Sequence, residues 1–452
     1  MNVPYRRIHI IGAGGAGMSS LAKVLLAQGH DVSGSDLRGG ATLQALSDLG
    51  ATVSTGHNPT VVESADLVVA SSAVPEFDEE LAAARQNGIP TWRRPQLLDA
   101  LTTDVPTIGA TGTHGKTTTT ALLIVALRSA GYDPSFVIGG EINELRTNGH
   151  VGATDLLVVE ADEAFKTFES INLNGLVVTN VEPEHLEHFG TREDLLESFV
   201  KVAESVAGPV LACADDDGSA AVADRVAALT YGFSEGSDWL LADLDVSADG
   251  STFTMTNAER SIDVTVRQPG AHVALNAAGA LALLATLGYD LDELVPGVAG
   301  FSGVRRRWDH RGTVAGVTLI DDYAHHPTEV RATLEAAVAS SSGRVWAVFQ
   351  PHLYSRTQRF FQEFGEALCL ADEIVVTDVY GAREEPVPGV TGELISDVAR
   401  VLGASVHYVP HRSDLASLLV PLVERGDLVI SMGAGDITLL HSELAAKLVQ
   451  MS

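Results

Sequence analysis

Short apolar runs recur along the chain, and most are followed by a glycine-rich or polar turn and then by a helical pattern. In the first block, residues 8–11 predict a strand, residues 18–28 a helix, and the run ending at Asp36 a second strand. The alternation returns after residue 105 and again after residue 303. Strands that alternate with helices form mainly parallel sheets covered on both faces. The pattern therefore predicts an α/β protein.

The 452 residues divide into three blocks of different character. We predict a Rossmann-like N-terminal domain in residues 1–104, a central domain with a mainly parallel sheet in residues 105–302, and a Rossmann-like α/β C-terminal domain in residues 303–452. A chain of this length can form several separate hydrophobic cores. Near the last boundary, we predict a hinge at Phe301, Ser302 and Gly303, because a glycine there can absorb large dihedral changes.

Composition restricts the partners that we expect. The chain has 29 Lys and Arg against 59 Asp and Glu, a formal net charge of −30, which argues against binding nucleic acid or an anionic membrane surface. Any anionic substrate must then be held by local positive groups. Two cysteines fit a reducing compartment without a disulfide framework, and no apolar run is long enough for membrane insertion. We expect a cytoplasmic protein.

The sequence TGTHGKTT at residues 111–118 lies between a predicted strand and a predicted helix. This is the layout of a P-loop, whose backbone N–H groups cradle phosphates. Lys116 would reach the β- and γ-phosphates of ATP, and the Thr117 hydroxyl would bind magnesium. The usual first glycine is replaced by Ala110, and an ordinary strand-to-helix turn is the alternative. The predicted ATP-binding residues of the loop are Gly112, Thr113, His114, Gly115, Lys116, Thr117 and Thr118.

Two further residues are candidate metal ligands. Glu160 ends one apolar run of the central block, and His185 follows another. Together with Thr117, a carboxylate and an imidazole suit Mg²⁺ or Mn²⁺. The alternatives are a strand-end carboxylate that caps a helix and a surface histidine.

The first glycine turn, GAGGAG at residues 12–17, predicts a nucleotide-binding βαβ unit. Asp36 lies where an acidic residue could bind a ribose, and Ser71 follows a further apolar run. This motif alone does not distinguish NAD, FAD and a UDP-sugar. The candidate ligand-binding residues are Gly12, Gly14, Gly15, Gly17, Asp36 and Ser71.

The third block places polar residues after apolar runs, at strand ends where α/β active sites form. Arg307 could make bidentate contacts with a phosphate or carboxylate, unless it belongs to a solvated basic turn. His325, His352 and Arg356 could neutralise a carboxylate and handle the protons of an amine nucleophile, unless the histidines cap helices. An enzyme that joins an acid to an amine with ATP would use all of these groups.

Seven segments together resemble the Mur ligase family of peptidoglycan synthesis, and the resemblance covers the whole chain in the right order. They are TGTHGKTT at 111–118, GAGGAGM at 12–18 with GSD at 34–36, DDYAHHPTE at 321–329, PHLYSRT at 351–357, YGARE at 380–384 and MGAGD at 432–436.

The resemblance implies an ATP- and Mg²⁺- or Mn²⁺-dependent ligase, a monomer or homodimer. It would join L-alanine to the carboxylate of UDP-N-acetylmuramate through an acyl phosphate, in cell-wall biogenesis. Its implied site residues are Lys116 and its loop for ATP, Asn276 for adenine, Arg307 for the phosphates, Glu160 and His185 for metal, Asp322 as a catalytic or ATP-side group, Tyr323 and His325 for alanine, and the Gly12 loop with Asp36 for UDP.

This chain departs from the family pattern at several positions. Ala164, Phe165 and Lys166 follow Glu163 where the family has polar residues, and Val273 stands where asparagine is common. Phe199 occupies the position at which sister ligases carry a carbamylated lysine, so we do not predict that modification.

Three other functions remain open from the sequence. A muropeptide-recycling ligase would attach a tripeptide to the same UDP-sugar. A dinucleotide-dependent oxidoreductase would use the Gly12 loop but would leave the Lys116 loop unexplained. A non-catalytic nucleotide switch would bind the nucleotide without amino-acid-dependent phosphate release.

Overall fold

The computed structural model describes residues 1, 3–184, 189–382 and 384–451. It contains three sheets whose strands are mainly parallel and alternate with helices. The predicted three-domain α/β class is therefore confirmed.

The described residues form 21 strands. They are β1 (Arg7–Ile11), β2 (Asp31–Asp36), β3 (Thr52–Thr55), β4 (Leu67–Ala70), β5 (Thr91–Arg93), β6 (Thr107–Thr111), β7 (Pro134–Ile142), β8 (Thr147–His150), β9 (Thr154–Glu160), β10 (Gly175–Val178), β11 (Val210–Cys213), β12 (Leu229–Gly232), β13 (Trp239–Ser247), β14 (Gly250–Thr256), β15 (Ser261–Val266), β16 (Asp309–Val314), β17 (Val317–Asp322), β18 (Val345–Phe349), β19 (Glu373–Val376), β20 (Val406–Tyr408) and β21 (Leu428–Met432).

The α-helices of the described residues follow most of these strands. They are α1 (Ala16–Ala27), α2 (Ala41–Asp48), α3 (Glu79–Gln86), α4 (Arg94–Thr102), α5 (Lys116–Ser129), α6 (Arg192–Ser205), α7 (Asp217–Val226), α8 (Ala271–Thr286), α9 (Leu291–Gly300), α10 (Pro327–Ser340), α11 (Tyr354–Leu368), α12 (Glu393–Val401), α13 (Leu415–Leu419) and α14 (Leu440–Met451).

The first sheet is parallel, with strand order β3-β2-β1-β4-β5. Three of the five residues of the central strand β1 are isoleucines, and all three, Ile8, Ile10 and Ile11, are buried. Because β1, β2 and β4 run in the same direction, their carboxyl ends meet at one edge of the sheet. Gly12, Asp36 and Ser71 lie at this edge.

The second sheet has the strand order β15-β14-β13-β12-β11-β10-β6-β9-β7-β8. Its strand β6 leads into the P-loop and lies between β9 and β10. Ala110 is a buried residue of β6 that pairs with Glu160 on one side and with Val177 on the other. The position where the usual motif has a glycine is therefore occupied by a regular strand residue.

The third sheet has the order β16-β17-β21-β18-β19-β20, and only the pairing of β16 with β17 is antiparallel among its described pairs. The central strands β18 and β21 are buried throughout. Asp322 ends β17, and the polar segment after Phe349 follows β18. The third-block residues thus lie at the carboxyl edge of this sheet, as predicted.

The chain forms two compact units, of which the first comprises Met1–Asp243, Phe253–Val264 and Leu275–Phe301. The second comprises Leu244–Thr252, Thr265–Ala274 and Ser302–Ser452. One boundary falls between residues 301 and 302, beside the predicted hinge. The domain limits at residues 104 and 302 stay predictions. Within the part of the chain that the structure describes, no helix is long and apolar enough to cross a membrane.

Candidate nucleotide and ligase site

The loop between β6 and α5 has backbone conformations that favour glycine at two positions. Gly112 has φ of +138° and Gly115 has φ of +81°. A Cβ atom at position 112 would lie 2.0 Å from Thr179 Oγ1. Gly112 is therefore required both by its dihedral angle and by the close approach of the neighbouring chain. Gly115 is the N-cap residue of α5, so the first N–H groups of that helix face the loop.

The ammonium group of Lys116 is held inside this loop by oxygen atoms. Its Nζ donates to the carbonyl oxygens of Gly112, at 2.7 Å, and of Thr113, at 3.0 Å. It also forms an ion pair with Glu163 Oε2 at 2.8 Å. Burial lowers the pKa of Lys116, but the nearby carboxylates outweigh burial and the pKa is raised. Burial has the opposite effect on the carboxyl group of Glu163 and raises its pKa.

The predicted metal ligands Thr117 and Glu160 are brought together. The Thr117 hydroxyl donates to Glu160 Oε1 at 2.9 Å, and the backbone N–H of Gly139 donates to Glu160 Oε2 at 2.6 Å. A Cβ at Gly139 would lie 2.8 Å from that carboxylate, so a larger residue would displace it. The third predicted ligand, His185, lies outside the described residues.

Residues after β10 support the P-loop, and these supporting contacts were not predicted from the sequence. Asn180 Oδ1 accepts the backbone N–H of His114 at 2.7 Å, and its Nδ2 donates to the His114 carbonyl at 3.0 Å. The Thr179 hydroxyl donates to the same carbonyl at 2.5 Å. The side chain of Thr113 bonds to the backbone of Glu182. The only sequence signal for these contacts was a polar pair at the end of an apolar run.

Asn276 of α8, which is predicted to contact adenine, lies beside the P-loop. It is buried, and a Cβ at Gly115 would meet its Oδ1 at 2.6 Å. Val273, one turn earlier, is also buried. The asparagine common in the family is thus replaced here by an apolar core residue.

The predicted UDP-sugar residues converge at the edge of the first sheet. The backbone N–H of Gly14 donates to Asp36 Oδ2 at 3.0 Å, and that of Gly12 to the Ser35 carbonyl at 2.8 Å. Gly12 has φ of +81°, and a Cβ there would lie 3.1 Å from the Cβ of Ser71. Gly15 is the N-cap residue of α1, and Gly17 lies in its first turn. The arrangement exposes a helix N-terminus to an anionic ligand.

In the second unit, Asp322 is a buried carboxylate at the end of β17. It accepts the backbone N–H groups of Trp308 and Ala324, each at 2.7 Å. Burial raises the pKa of Asp322 to about 6, although Arg307 opposes this shift. The guanidinium groups of Arg306 and Arg307 lie 5.0 and 4.9 Å from the centre of the Tyr323 ring.

The predicted amino-acid-binding residues form one cluster. The Tyr323 and His325 rings are 5.0 Å apart, and the His325 and His352 rings 6.0 Å apart. Arg356 donates to His352 Nδ1 at 3.3 Å. Glu329, which was not predicted, pairs with both Arg307, at 3.3 Å, and His325, at 3.2 Å. Its position in the first turn of a helix after the histidine pair was the available signal.

The unusual segment after Glu163 forms a 3₁₀ helix, Ala164–Ser170. Phe165 and Lys166 have φ of +56° and +54°, in the left-handed region that is unfavourable for both. Phe199 is buried against Phe168, with the ring centres 5.0 Å apart. Lys201 lies on the surface and pairs with Glu169 at 2.6 Å.

Three family models match the chain in order. The "Mur ligase family, catalytic domain" matches residues 7–105, the "Mur ligase middle domain" residues 110–284, and the "Mur ligase, glutamate ligase domain" residues 306–435.

Relatives from bacteria are similar over nearly the whole chain. A UDP-N-acetylmuramate–L-alanine ligase from Saccharopolyspora erythraea is 45% identical over 460 residues, which span 99% of this chain and 94% of the relative. One from Mycobacteroides abscessus is 44% identical, over 98% of this chain and 95% of the relative.

Solved structures give the same comparison. A UDP-N-acetylmuramate–alanine ligase from Thermotoga maritima has a TM-score of 0.87 at 28% identity and covers 99% of this chain and 100% of its own. A murein peptide ligase from Psychrobacter arcticus has a TM-score of 0.71 at 25% identity and covers 98% of each chain.

Proposed function

The chain belongs to the Mur ligase family, and from that membership we propose that it joins L-alanine to the carboxylate of UDP-N-acetylmuramate while ATP is converted to ADP and phosphate. This is the first amino-acid addition in peptidoglycan precursor synthesis. The observation that carries the proposal is the 45% identity, over 99% of the chain, to a relative named for this reaction. We place the reaction in the cytoplasm, where both nucleotides are available.

The P-loop is the proposed ATP site. Residues 112–118 offer backbone N–H groups to the phosphates, and the Lys116 ammonium would lie against the transferring phosphoryl group. Asn276, beside Gly115, would contact adenine. Arg307 and Asp322 of the second unit are proposed to act on the phosphates, a role that rests on the family resemblance.

Thr117 and Glu160 are the proposed magnesium ligands in the described part of the chain, and His185 is a further candidate. Their facing atoms, Thr117 Oγ1 and Glu160 Oε1, are both oxygen, which suits the hard cation Mg²⁺. When bound, the ion would neutralise charge on the phosphates during transfer.

In the proposed reaction, the muramyl carboxylate attacks the γ-phosphorus of ATP, and ADP leaves. The resulting acyl phosphate is attacked at its carbonyl carbon by the neutral amine of L-alanine. The nitrogen of the tetrahedral intermediate loses a proton, which passes to the leaving phosphate, and expulsion of this phosphate gives the amide. Lys116 would stabilise the charge of the transferring phosphoryl group, because a preorganised cation costs no reorganisation during reaction.

The remaining predicted residues bind the two other substrates in this proposal. Gly12, Gly14, Gly15, Gly17, Asp36 and Ser71 would hold the UDP part of the sugar nucleotide. The cluster of Tyr323, His325, His352 and Arg356 would receive L-alanine, whose carboxylate suits the Arg356 guanidinium.

A phosphate-release assay with an amino-acid panel tests the proposal. The purified protein is given ATP, MgCl₂ and UDP-N-acetylmuramate with L-alanine, glycine, L-serine or the muropeptide tripeptide. We expect release that depends on the sugar nucleotide and is fastest with L-alanine. Release that responds only to the tripeptide would assign the chain to muropeptide recycling instead. Release without any amino-acid dependence would remove the ligase assignment, and a bound flavin or nicotinamide spectrum would favour an oxidoreductase.

A further inference from the structure

Arg94 lies beside the glycine turn that we assign to UDP. It is the first residue of α4, and its guanidinium packs against Gly17 in the first turn of α1. A Cβ atom at position 17 would lie 3.0 Å from Arg94 Cζ and 3.1 Å from its Nη2. Gly17, the last glycine of the turn, therefore makes room for an arginine side chain.

The hydrogen-bonding capacity of this guanidinium is only partly used. Nη1 donates to Asp162 Oδ2 at 3.1 Å. Nε is buried and has no hydrogen-bond partner among the residues that the structure describes. The side chain as a whole is 16% exposed. A buried donor without a partner is costly, so a ligand that accepts from it would recover a substantial free energy.

The surroundings select an anionic ligand. The chain has a net charge of −30, so most of its surface should repel an anionic ligand. A cation beside a helix N-terminus would attract such a ligand locally. Gly15 caps α1 and Gly17 is in its first turn, where backbone N–H groups and the helix dipole both favour phosphate oxygens. The Arg94 fork has the planar geometry that phosphate accepts in bidentate form.

We propose that Arg94 is a substrate-binding residue whose guanidinium donates to the diphosphate of UDP-N-acetylmuramate. This inference rests on the proposed function and adds to it a cation supplied by α4, outside the glycine turn. Asp162, on the segment that follows β9, holds the Arg94 guanidinium at Nη1.

A purely structural role would give the same ion pair. In that case Arg94 and Asp162 would matter equally, because each would act only by joining α4 to the segment after β9. In the substrate-binding role only Arg94 touches the ligand. Removing Asp162 would then leave the cation in place and remove a negative charge near the diphosphate.

The experiment is calorimetric titration of Arg94→Ala, Arg94→Lys, Asp162→Asn and the wild type, without ATP or magnesium. The ligands are UDP-N-acetylmuramate, UDP-N-acetylglucosamine, which lacks the lactyl carboxylate, and uridine, which lacks the diphosphate. Arg85→Ala is the matched control, because Arg85 pairs with the exposed Glu76. Thermal melting confirms that each variant is folded.

We expect Arg94→Ala to weaken both UDP-sugars by about 10- to 100-fold and to leave uridine unchanged, since a charged hydrogen bond has about this worth. Arg94→Lys retains the charge without the fork and should show about a 3- to 10-fold loss. Asp162→Asn should bind the UDP-sugars as tightly as the wild type or more tightly.

Other outcomes would overturn the inference. Equal losses in Arg94→Ala and Asp162→Asn would identify a structural ion pair. A loss confined to UDP-N-acetylmuramate would place Arg94 at the lactyl carboxylate instead. If Arg94→Ala is unfolded, wild-type affinity in Arg94→Lys would refute the bidentate contact. If the wild type binds neither UDP-sugar, the proposed function itself is refuted. If the wild type binds them and the Arg94 variants bind them equally well, only this inference is refuted.

Discussion

At the scale of single residues, the Lys116 ammonium is fixed by the carbonyl oxygens of Gly112 and Thr113 and by Glu163. The sequence predicted Lys116, Thr117 and Glu160 because these residue types follow strands at recognisable spacings. It did not predict the pairing with Glu163, although this residue closes an acidic run after β9. That contact depends on where the chain turns after the strand, and a spacing rule does not specify the turn.

Substitution of Lys116 by alanine should reduce the ligation rate by about 100-fold or more, because a preorganised charge at the transferring phosphoryl group is lost. UDP-sugar affinity should stay within twofold of the wild type, since that ligand uses the first sheet. Phosphate release and calorimetric titration measure the two effects. Lys201→Ala, which removes a surface lysine paired with Glu169, is the control. Comparable turnover in Lys116→Ala would refute the assignment of the P-loop.

Glu160→Gln keeps the size of the side chain and removes the charge that faces Thr117. The magnesium concentration for half-maximal rate should rise by about tenfold, in line with the loss of one oxygen ligand's charge. A magnesium titration of the phosphate-release rate measures this shift, with the exposed Glu197→Gln as control. An unaltered magnesium curve would make Glu160 a structural carboxylate that only orders Thr117 and Gly139.

At the scale of elements, the strand predicted at residues 8–11 corresponds to β1 to within one residue. The second predicted strand ends at Asp36, as β2 does, and the apolar run that ends at Glu160 is the end of β9. The strands β7, β8 and β13–β15 were not predicted, because polar residues or glycines interrupt their apolar positions and their order in the sheet depends on long-range pairing. Likewise, the contacts of Asn180 with His114 span 66 residues of sequence. They exist because β10 pairs with β6, which local periodicity does not encode.

Gly112 provides a test at this scale. Gly112→Ala places a methyl group 2.0 Å from Thr179 Oγ1 at a residue with φ of +138°, so β6 and β10 must separate locally or the loop must change shape. We expect at least about a 100-fold loss of ligation, from misplacement of the phosphate-binding groups. Gly131→Ala is the matched control, since Gly131 also has positive φ, +83°, but no atom within 4 Å of the added Cβ. Equal losses in the two variants would show that backbone strain alone is responsible.

At the scale of the whole molecule, the net charge can be calculated from the sequence. The residues that make up each of the two compact units were not predicted from it. The second unit includes residues 244–252 and 265–274, which a division into consecutive blocks assigns to the central domain. The assignment of these residues to the second unit depends on how β13–β15 and the start of α8 pack in the folded chain. No shift in amino-acid composition along the sequence indicates it.

The net charge of −30 predicts that salt stabilises the fold. Like charges on a compact surface repel, and added ions screen this repulsion. The thermal midpoint should rise by a few degrees between about 20 mM and about 500 mM KCl, where the Debye length falls below about 10 Å. Differential scanning fluorimetry measures it, with NaCl and choline chloride as controls that should act alike. A midpoint that falls with salt would mean that surface ion pairs outweigh the repulsion.

The position of Asp162 has a thermodynamic consequence for the order in which the nucleotides bind. Burial raises the pKa of Asp162, but Arg94, Lys116 and the hydrogen bonds that this carboxylate accepts lower it. One carboxylate therefore interacts with a residue of each proposed nucleotide site. A nucleotide that shifts Asp162 at one site changes the distance between this carboxylate and the cation of the other site, and so changes the charge interactions at that other site. In a closed cycle, each nucleotide must then change the affinity of the other by the same factor. Neither dissociation constant is therefore a property of its own site alone.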